Sequence, residues 1–234
     1  VNIDGVKAGE LHFTGALLAD IHLGKVKTWS DPAIKALNPN VKLPDAAINV
    51  VWRSDGSGTT FNWTDYLTKS SPEWASRFGA NTQVPWPVGA GAEGSRGIIQ
   101  AIARTKNTLG YVELGQVLRA SLAYALVQNK AGQFVRPDAA SLQAAAASAD
   151  WPAAKDFALM LTDAPGPQSW PIVATTFALV PKPLNARSRE AINFFRIGLE
   201  KGAGDAAALG LVPLPEPLVK QVKAYWDVAL KPGS

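Results

Sequence analysis

The chain has 234 residues, 47% of them hydrophobic and 18% charged, with a formal net charge of +4. That length builds one large core or two small ones, and a mildly basic balance without any Lys/Arg block suits small anions and not nucleic acid. The absence of cysteine excludes disulfides, zinc–thiolate sites and a cysteine nucleophile; only His12 and His22 are available to a metal, and no apolar run is long enough to span a membrane.

The first thirteen residues read as a strand or connector with a turn at Asp4-Gly5. Thr14 is placed to cap a helix carrying Leu17, Leu18 and Ile21, and Gly24 to end it. Ser30 or Asp31 caps a second helix with Pro32 in its first turn, closed by Pro39. Ala47–Trp52 is nearly continuous in β-rich apolar residues, which predicts a strand buried on both faces. A helix follows to about Leu67. After the loop from Asn81 comes a helix with Ile98, Ile99, Ile102 and Ala103 on one face.

Further along, Thr108–Leu114 predicts a strand, Gly115–Ala120 a short helix, and Leu122–Pro137 a hairpin turning at Lys130 to Gly132. Asp138–Asp150 predicts a capped helix in which Ala144 to Ala147 are helix-forming filler. A Pro/Gly-rich linker at Asp163–Pro171 precedes an expected strand at Ile172–Val180. Two helices close the chain, one with Ala191, Phe194, Phe195, Gly198 and Leu199 on a face, the other with Leu218, Val222, Tyr225, Trp226 and Ala229. Strands alternating with helices predict an α/β architecture.

The segment that carries chemistry is Arg53-Ser54-Asp55-Gly56-Ser57-Gly58-Thr59, between the Ala47–Trp52 strand and its helix. In open α/β sheets ligands bind at the carboxyl ends of strands. Gly56 and Gly58 let a ligand approach the backbone. Ser57, Gly58 and Thr59 bring N–H groups without intrahelical partners, at the positive end of the helix dipole. Arg53 adds a forked cation suited to a tetrahedral oxyanion, and Asp55 is placed to hold the guanidinium. These residues also fit a plain capped turn with Arg53 and Asp55 as a surface pair. The arginine beside two glycines and the hydroxyls favours an anion cradle, for phosphate above all.

The motif matches the Arg-x-Asp-x-Ser-Gly-Thr segment of the periplasmic phosphate-binding proteins of ABC transporters (PstS type). Gly15–Pro39, Pro85–Ile98, Leu109–Leu114, Ala149–Trp151 and Trp170–Val180 are similar to further landmarks of that family, in the same order. The resemblance implies an α/β, type II periplasmic-binding-protein fold of two lobes that close on phosphate. It implies Arg53, Ser57, Gly58 and Thr59 as phosphate ligands, with Asp55 and Gly56 supporting. It implies no metal, no cofactor and no catalysis. The partner would be a membrane ABC permease, and the location an exported, periplasmic one.

The family begins with a portion that carries a Gly-rich segment, a further serine ligand and an aspartate that accepts the proton of phosphate. The chain starts at Val1 and has none of these, so one lobe is expected to be incomplete. Residues 9–168 are expected to form the second lobe, and 1–8 with 169–234 the crossovers and the remainder of the first, with exposed apolar surface. Affinity and selectivity against sulfate are expected to be weakened.

Other readings lack parts. An NTPase P-loop needs a lysine after Gly58. A hydrolase acting on phosphoesters or acyl groups through Ser57 needs a general base, and His12 and His22 are expected in surface or packing roles rather than as that base. Gly89–Gly97 resembles a second phosphate loop only weakly and reads as a turn and helix start lining the cleft, with Glu93 and Arg96 solvated. Trp29, Trp63, Trp86, Trp170 and Trp226 are expected in packing rather than as sugar platforms. An extracellular phosphate-scavenging relative is a third reading that the sequence does not separate from the importer's receptor.

Overall fold

The hydrophobic run that ends at Arg53 forms the central strand of a parallel sheet, and the molecule is arranged around it. The computed structural model describes residues 1–181 and 184–230. In chain order the elements are β1 (His12–Phe13), α1 (Gly15–His22), α2 (Pro32–Leu37), β2 (Asn49–Arg53), α3 (Gly58–Ser70), α4 (Pro72–Arg77), β3 (Ala90–Ala92), α5 (Gly94–Arg104) and β4 (Thr108–Gly110). There follow α6 (Leu114–Arg119), β5 (Leu126–Gln128), β6 (Phe134–Val135), α7 (Ala139–Ser148), α8 (Ala186–Lys201), α9 (Ala203–Ala208) and α10 (Glu216–Ala229).

One sheet has the order β3-β2-β4, with β2 parallel to both neighbours. Each strand returns through a helical crossover, as parallel pairing requires. The expected burial of β2 on two faces is met: Val50 joins the main core with Trp63 and Leu67 of α3, and Val51 packs under Ile98 and Ile102 of α5. Ala103, expected on that same face of α5, is exposed. The second sheet runs β1-β5-β6, with β1 parallel to β5 and β5–β6 an antiparallel hairpin. The hairpin turns at Gly132, whose φ of +79° suits glycine.

Local start signals hold. The Thr14 side chain accepts the N–H of Leu17, Asp31 that of Ala33, and Asp138 that of Ser141 in a capping box. Leu11, Phe13, Leu18, Trp29, Ile34 and Trp74 fill the main core. Each fully buried side chain of this size contributes about 1.5–3 kcal/mol. A smaller core gathers Ala145, Ala146, Trp151, Leu161, Val173 and Leu218.

Two expectations are corrected here. The predicted strand at 172–180 is irregular chain without a ladder: Leu179 is 96% exposed and Phe177 half exposed, and no strand lies beside them among the described residues. A β-rich sequence forms a strand only where a neighbour takes up its N–H and C=O groups. On α8 only Ser188 and Ile192 are buried, while Phe194 and Ile197 face outward. The expectation of exposed apolar surface in this part of the chain is met.

Candidate functional site

At the carboxyl end of β2 the chain leaves the sheet, bends, and enters α3. The N–H of Ser54 donates to the carbonyl of Ala92, which carries the ladder one step past the strand. Ser57 is the N-cap of α3 with extended backbone (φ −141°, ψ 128°). Its Oγ accepts the N–H of Thr59 at 3.1 Å and of Thr60 at 3.3 Å. Its own N–H donates to the carbonyl of Thr82.

This corrects one detail of the sequence reading. Of the three backbone donors expected to be free, those of Ser57 and Thr59 are engaged. Among the described residues, the N–H of Gly58 and the hydroxyl of Thr59 have no protein partner. Ser57 Oγ, accepting twice, keeps its proton to donate. Neither Gly56 nor Gly58 has a positive φ, and a Cβ on either would meet nothing within 4 Å. Their contribution is therefore open space over the backbone, not a left-handed turn.

Arg53 and Asp55 form the expected pair. Arg53 Nε donates to Asp55 Oδ1 at 2.7 Å and Nη2 to Oδ2 at 2.5 Å, a side-on fork. The guanidinium side chain is 13% exposed and the carboxylate 33%, so Arg53 is held within the wall while still reaching its surface. Arg53 holds the Asp55 carboxyl well below the usual range, and the backbone N–H of Gly94 adds to the effect. Asp55 is thus a committed anion that does not take up a proton at neutral pH. Arg53 Nη1 lies 3.4 Å from Ser95 Oγ.

Residues that the sequence reading did not single out brace this turn. Tyr111 follows directly on β4, and its hydroxyl accepts the backbone N–H of Arg53 at 3.2 Å and shares a 2.7 Å bond with Thr60 Oγ1. The Tyr111 ring stacks on Trp63 with centroids 5.2 Å apart and planes at 13°. A polar-tipped aromatic placed next after a strand of the same sheet is the signal that marks it.

His22 is fully buried among Trp63, Trp74 and Trp86, with Nδ1 against the carbonyl of Leu18. Burial pushes it down to about 4. His12 lies edge-on to Phe134. Both pack, as expected, and neither is a hydrogen-bond partner of Ser57. Glu93 and Arg96 are exposed. Trp29 is buried, Trp63 nearly so, and Trp86, Trp170 and Trp226 are partly covered. Among the described residues no group of three or more His, Asp or Glu side chains is placed to hold a metal, and no helix is long and apolar enough to cross a membrane.

A cleft of about 780 Å³ begins at Thr59 and Trp63 and runs past Tyr111 to Thr175 and Leu211. Its lining is mainly apolar, and Arg53, Ser57 and Gly58 are not part of it. The turn meets it at Thr59, and the donors of Arg53, Ser57 and Gly58 lie outside it.

The family model described as the PBP superfamily domain matches residues 2–196. The phosphate-binding protein PstS of Xylella fastidiosa is 48% identical over 233 residues, covering 99% of this chain and 64% of that protein. The phosphate-binding protein PstS of Pasteurella multocida is 44% identical, covering 99% of this chain and 68% of that protein.

Among solved structures, a high affinity periplasmic phosphate-binding protein (PfluDING) bound with phosphate superposes with a TM-score of 0.71 at 24% identity, covering 99% of this chain and 70% of the other. The ancestral soluble variant of the human phosphate binding protein gives 0.69 at 21% identity, covering 95% and 68%. These two establish the fold. The chain belongs to the PBP superfamily and, within it, to the family of PstS phosphate-binding proteins. It spans 64% of the length of the Xylella relative.

Proposed function

We propose that this chain binds inorganic phosphate at the Arg53–Thr59 turn and serves as part of a two-lobed receptor that hands the ion to a membrane ABC importer from the periplasm. The observation that carries the reading is the fork of Arg53 pinned by Asp55. It stands beside the open N–H of Gly58 and the hydroxyls of Ser57 and Thr59, at the positive end of a 13-residue helix. A tetrahedral anion matches that set of donors. The relatives' being phosphate-binding proteins supports phosphate as the anion.

In this reading residues 9–168 form the lobe that carries the turn, and 1–8 with 169–234 belong to the crossovers and the other lobe. Closure of two lobes over the ion would exclude water and strengthen each of these bonds.

The site favours binding over turnover. Ser57 Oγ is engaged as a helix cap, and among the described residues no base touches it. Of the named ligands Arg53, Ser57, Gly58 and Thr59, only the Thr59 hydroxyl can also accept a proton from the ion, and the carboxylate of Asp55 is turned toward Arg53 and Gly94. Without a carboxylate turned toward the ion, the proton that distinguishes phosphate from sulfate is only weakly rewarded, so sulfate is expected to compete here.

Calorimetric titration of the chain with phosphate, with sulfate and arsenate as competitors, tests the reading against Arg53→Ala. Phosphate binding that disappears in the variant is expected; equal binding by both proteins would move the site elsewhere.

A further inference from the structure

The Gly-rich segment before α5 leads into a helix whose first turn touches the candidate site twice. Gly94 donates its N–H to Asp55 Oδ1 at 2.9 Å, and Ser95 Oγ faces Arg53 Nη1 at 3.4 Å. Helix α5 has Glu93 at its N-cap position, and that side chain makes no capping bond. A serine in the first turn of a helix commonly turns its hydroxyl back onto the backbone. The hydrogen bond made by the hydroxyl of Ser95 is to the guanidinium of Arg53.

The guanidinium has five N–H donors. Asp55 engages one on Nε and one on Nη2, and Ser95 engages one on Nη1. That leaves one on each terminal nitrogen. The carboxylate fixes one edge of the group, and without a contact on Nη1 the plane can still rock about that edge. Ser95 supplies the contact on the third nitrogen.

We infer that Ser95 is a positioning residue for the phosphate site. It locks the plane of Arg53 from a different crossover helix, so that the two remaining N–H bonds point at the ion. This rests on the phosphate reading above. Gly89–Gly97 then acts as the second support of one cradle, set by the parallel pairing of β2 with β3 that places Arg53 opposite Ala92.

The test uses the whole chain and the variants Ser95→Ala and Ser95→Thr. Inorganic phosphate is titrated by calorimetry, melting temperatures are recorded, and ¹⁵N relaxation of the Arg53 side chain is measured without phosphate. The bond is present without the ion, so its loss reaches affinity through the freedom that Arg53 must then give up on binding, which predicts phosphate binding about 5-fold weaker in Ser95→Ala. Ser95→Thr, which keeps the hydroxyl, is expected to bind within about 2-fold of the parent. Melting temperatures are expected to fall by a few degrees at most, and Arg53 to become more mobile in Ser95→Ala alone.

Equal phosphate affinity in Ser95→Ala and the parent would overturn the role of Ser95 while leaving the phosphate reading intact. Failure of the parent chain to bind phosphate would overturn that reading instead. The relaxation data then decide the positioning role on their own: unchanged Arg53 mobility in Ser95→Ala refutes it.

Discussion

Asp55 caps α5 from across the sheet, its Oδ1 accepting the N–H of Gly94 at 2.9 Å. The same carboxylate holds Arg53, so one acidic side chain joins the end of β2, the guanidinium and the start of the next crossover helix. Its pKa is depressed by Arg53 first and by Gly94 second. A depressed carboxylate contributes stability above its ordinary pKa of 3.8, and that contribution is lost as pH falls below it. In Asp55→Asn the amide turns donors toward Arg53 and carries no charge. Urea unfolding at pH 7 is expected to show the variant less stable than the parent, with the gap closing as the pH is taken from 4 to 3. A gap of constant size would show that the pair adds nothing through its charge.

Bonds of short range were legible in the sequence, and bonds that depend on strand order were not. Thr14, Asp31 and Asp138 each bond within three residues, and Arg53 and Asp55 are two apart. Residue chemistry and spacing suffice for these. Asp55 with Gly94 and Thr60 with Tyr111 join different crossovers, Ser57 with Thr82 joins the two ends of one, and nothing local announces that β2 lies between β3 and β4. The misread strand at 172–180 has the same cause, since propensity is local and a ladder partner is not.

Tyr111 tests how rigid the turn must be. Its hydroxyl serves Arg53 N–H and Thr60 Oγ1, and both the ring and Thr60 are buried. Tyr111→Phe keeps the stack on Trp63 and leaves two groups without a partner, which costs about 1–3 kcal/mol. Adding Thr60→Val removes one of the orphans, so the double variant is expected to be more stable than the sum of the single losses. Strict additivity in urea denaturation would count against the shared bond.

His22 gives the fold a second, separate pH dependence. Burial lowers it to about 4, whereas an unfolded histidine titrates near 6.5. The unfolded chain therefore takes up a proton that the folded one refuses. The stabilisation is complete above pH 6.5 and falls as the pH drops toward 4, by about 3 kcal/mol at ~1.4 kcal/mol per pH unit. Replacement by Gln is expected to flatten the stability curve between pH 6.5 and 4.5, whatever it does to the absolute value. A histidine ring signal that titrates near 6.5 in the folded protein, assigned to His22, would refute this.

Gly15 sits where α1 crosses α3. A Cβ there would lie 2.5 Å from Ser70 Cβ and 2.8 Å from the Tyr66 hydroxyl. Gly15→Ala is expected to lose about 1–3 kcal/mol by overpacking despite its better helix propensity. Ser70→Gly in the same chain opens the space and is expected to return part of that loss. Denaturant midpoints of the two single variants and the double decide it: no recovery would place the clash elsewhere.

Ser57 has two duties that substitution separates. Its Oγ caps α3, and its remaining O–H bond is the donor assigned to the ion. Ser57→Ala removes both and is expected to cost about 1 kcal/mol of stability together with part of the phosphate affinity. Ser57→Asp supplies a cap of equal rank, and its charge suits the helix dipole. It also sets a carboxylate where an anion is to bind, and like charges repel at contact. The aspartate variant is therefore expected to melt closer to the parent than the alanine variant does, yet to bind phosphate more weakly than either. Melting curves and phosphate titrations of both variants make the comparison. An aspartate variant that still binds phosphate as the parent does would remove Ser57, and with it this helix start, from the site.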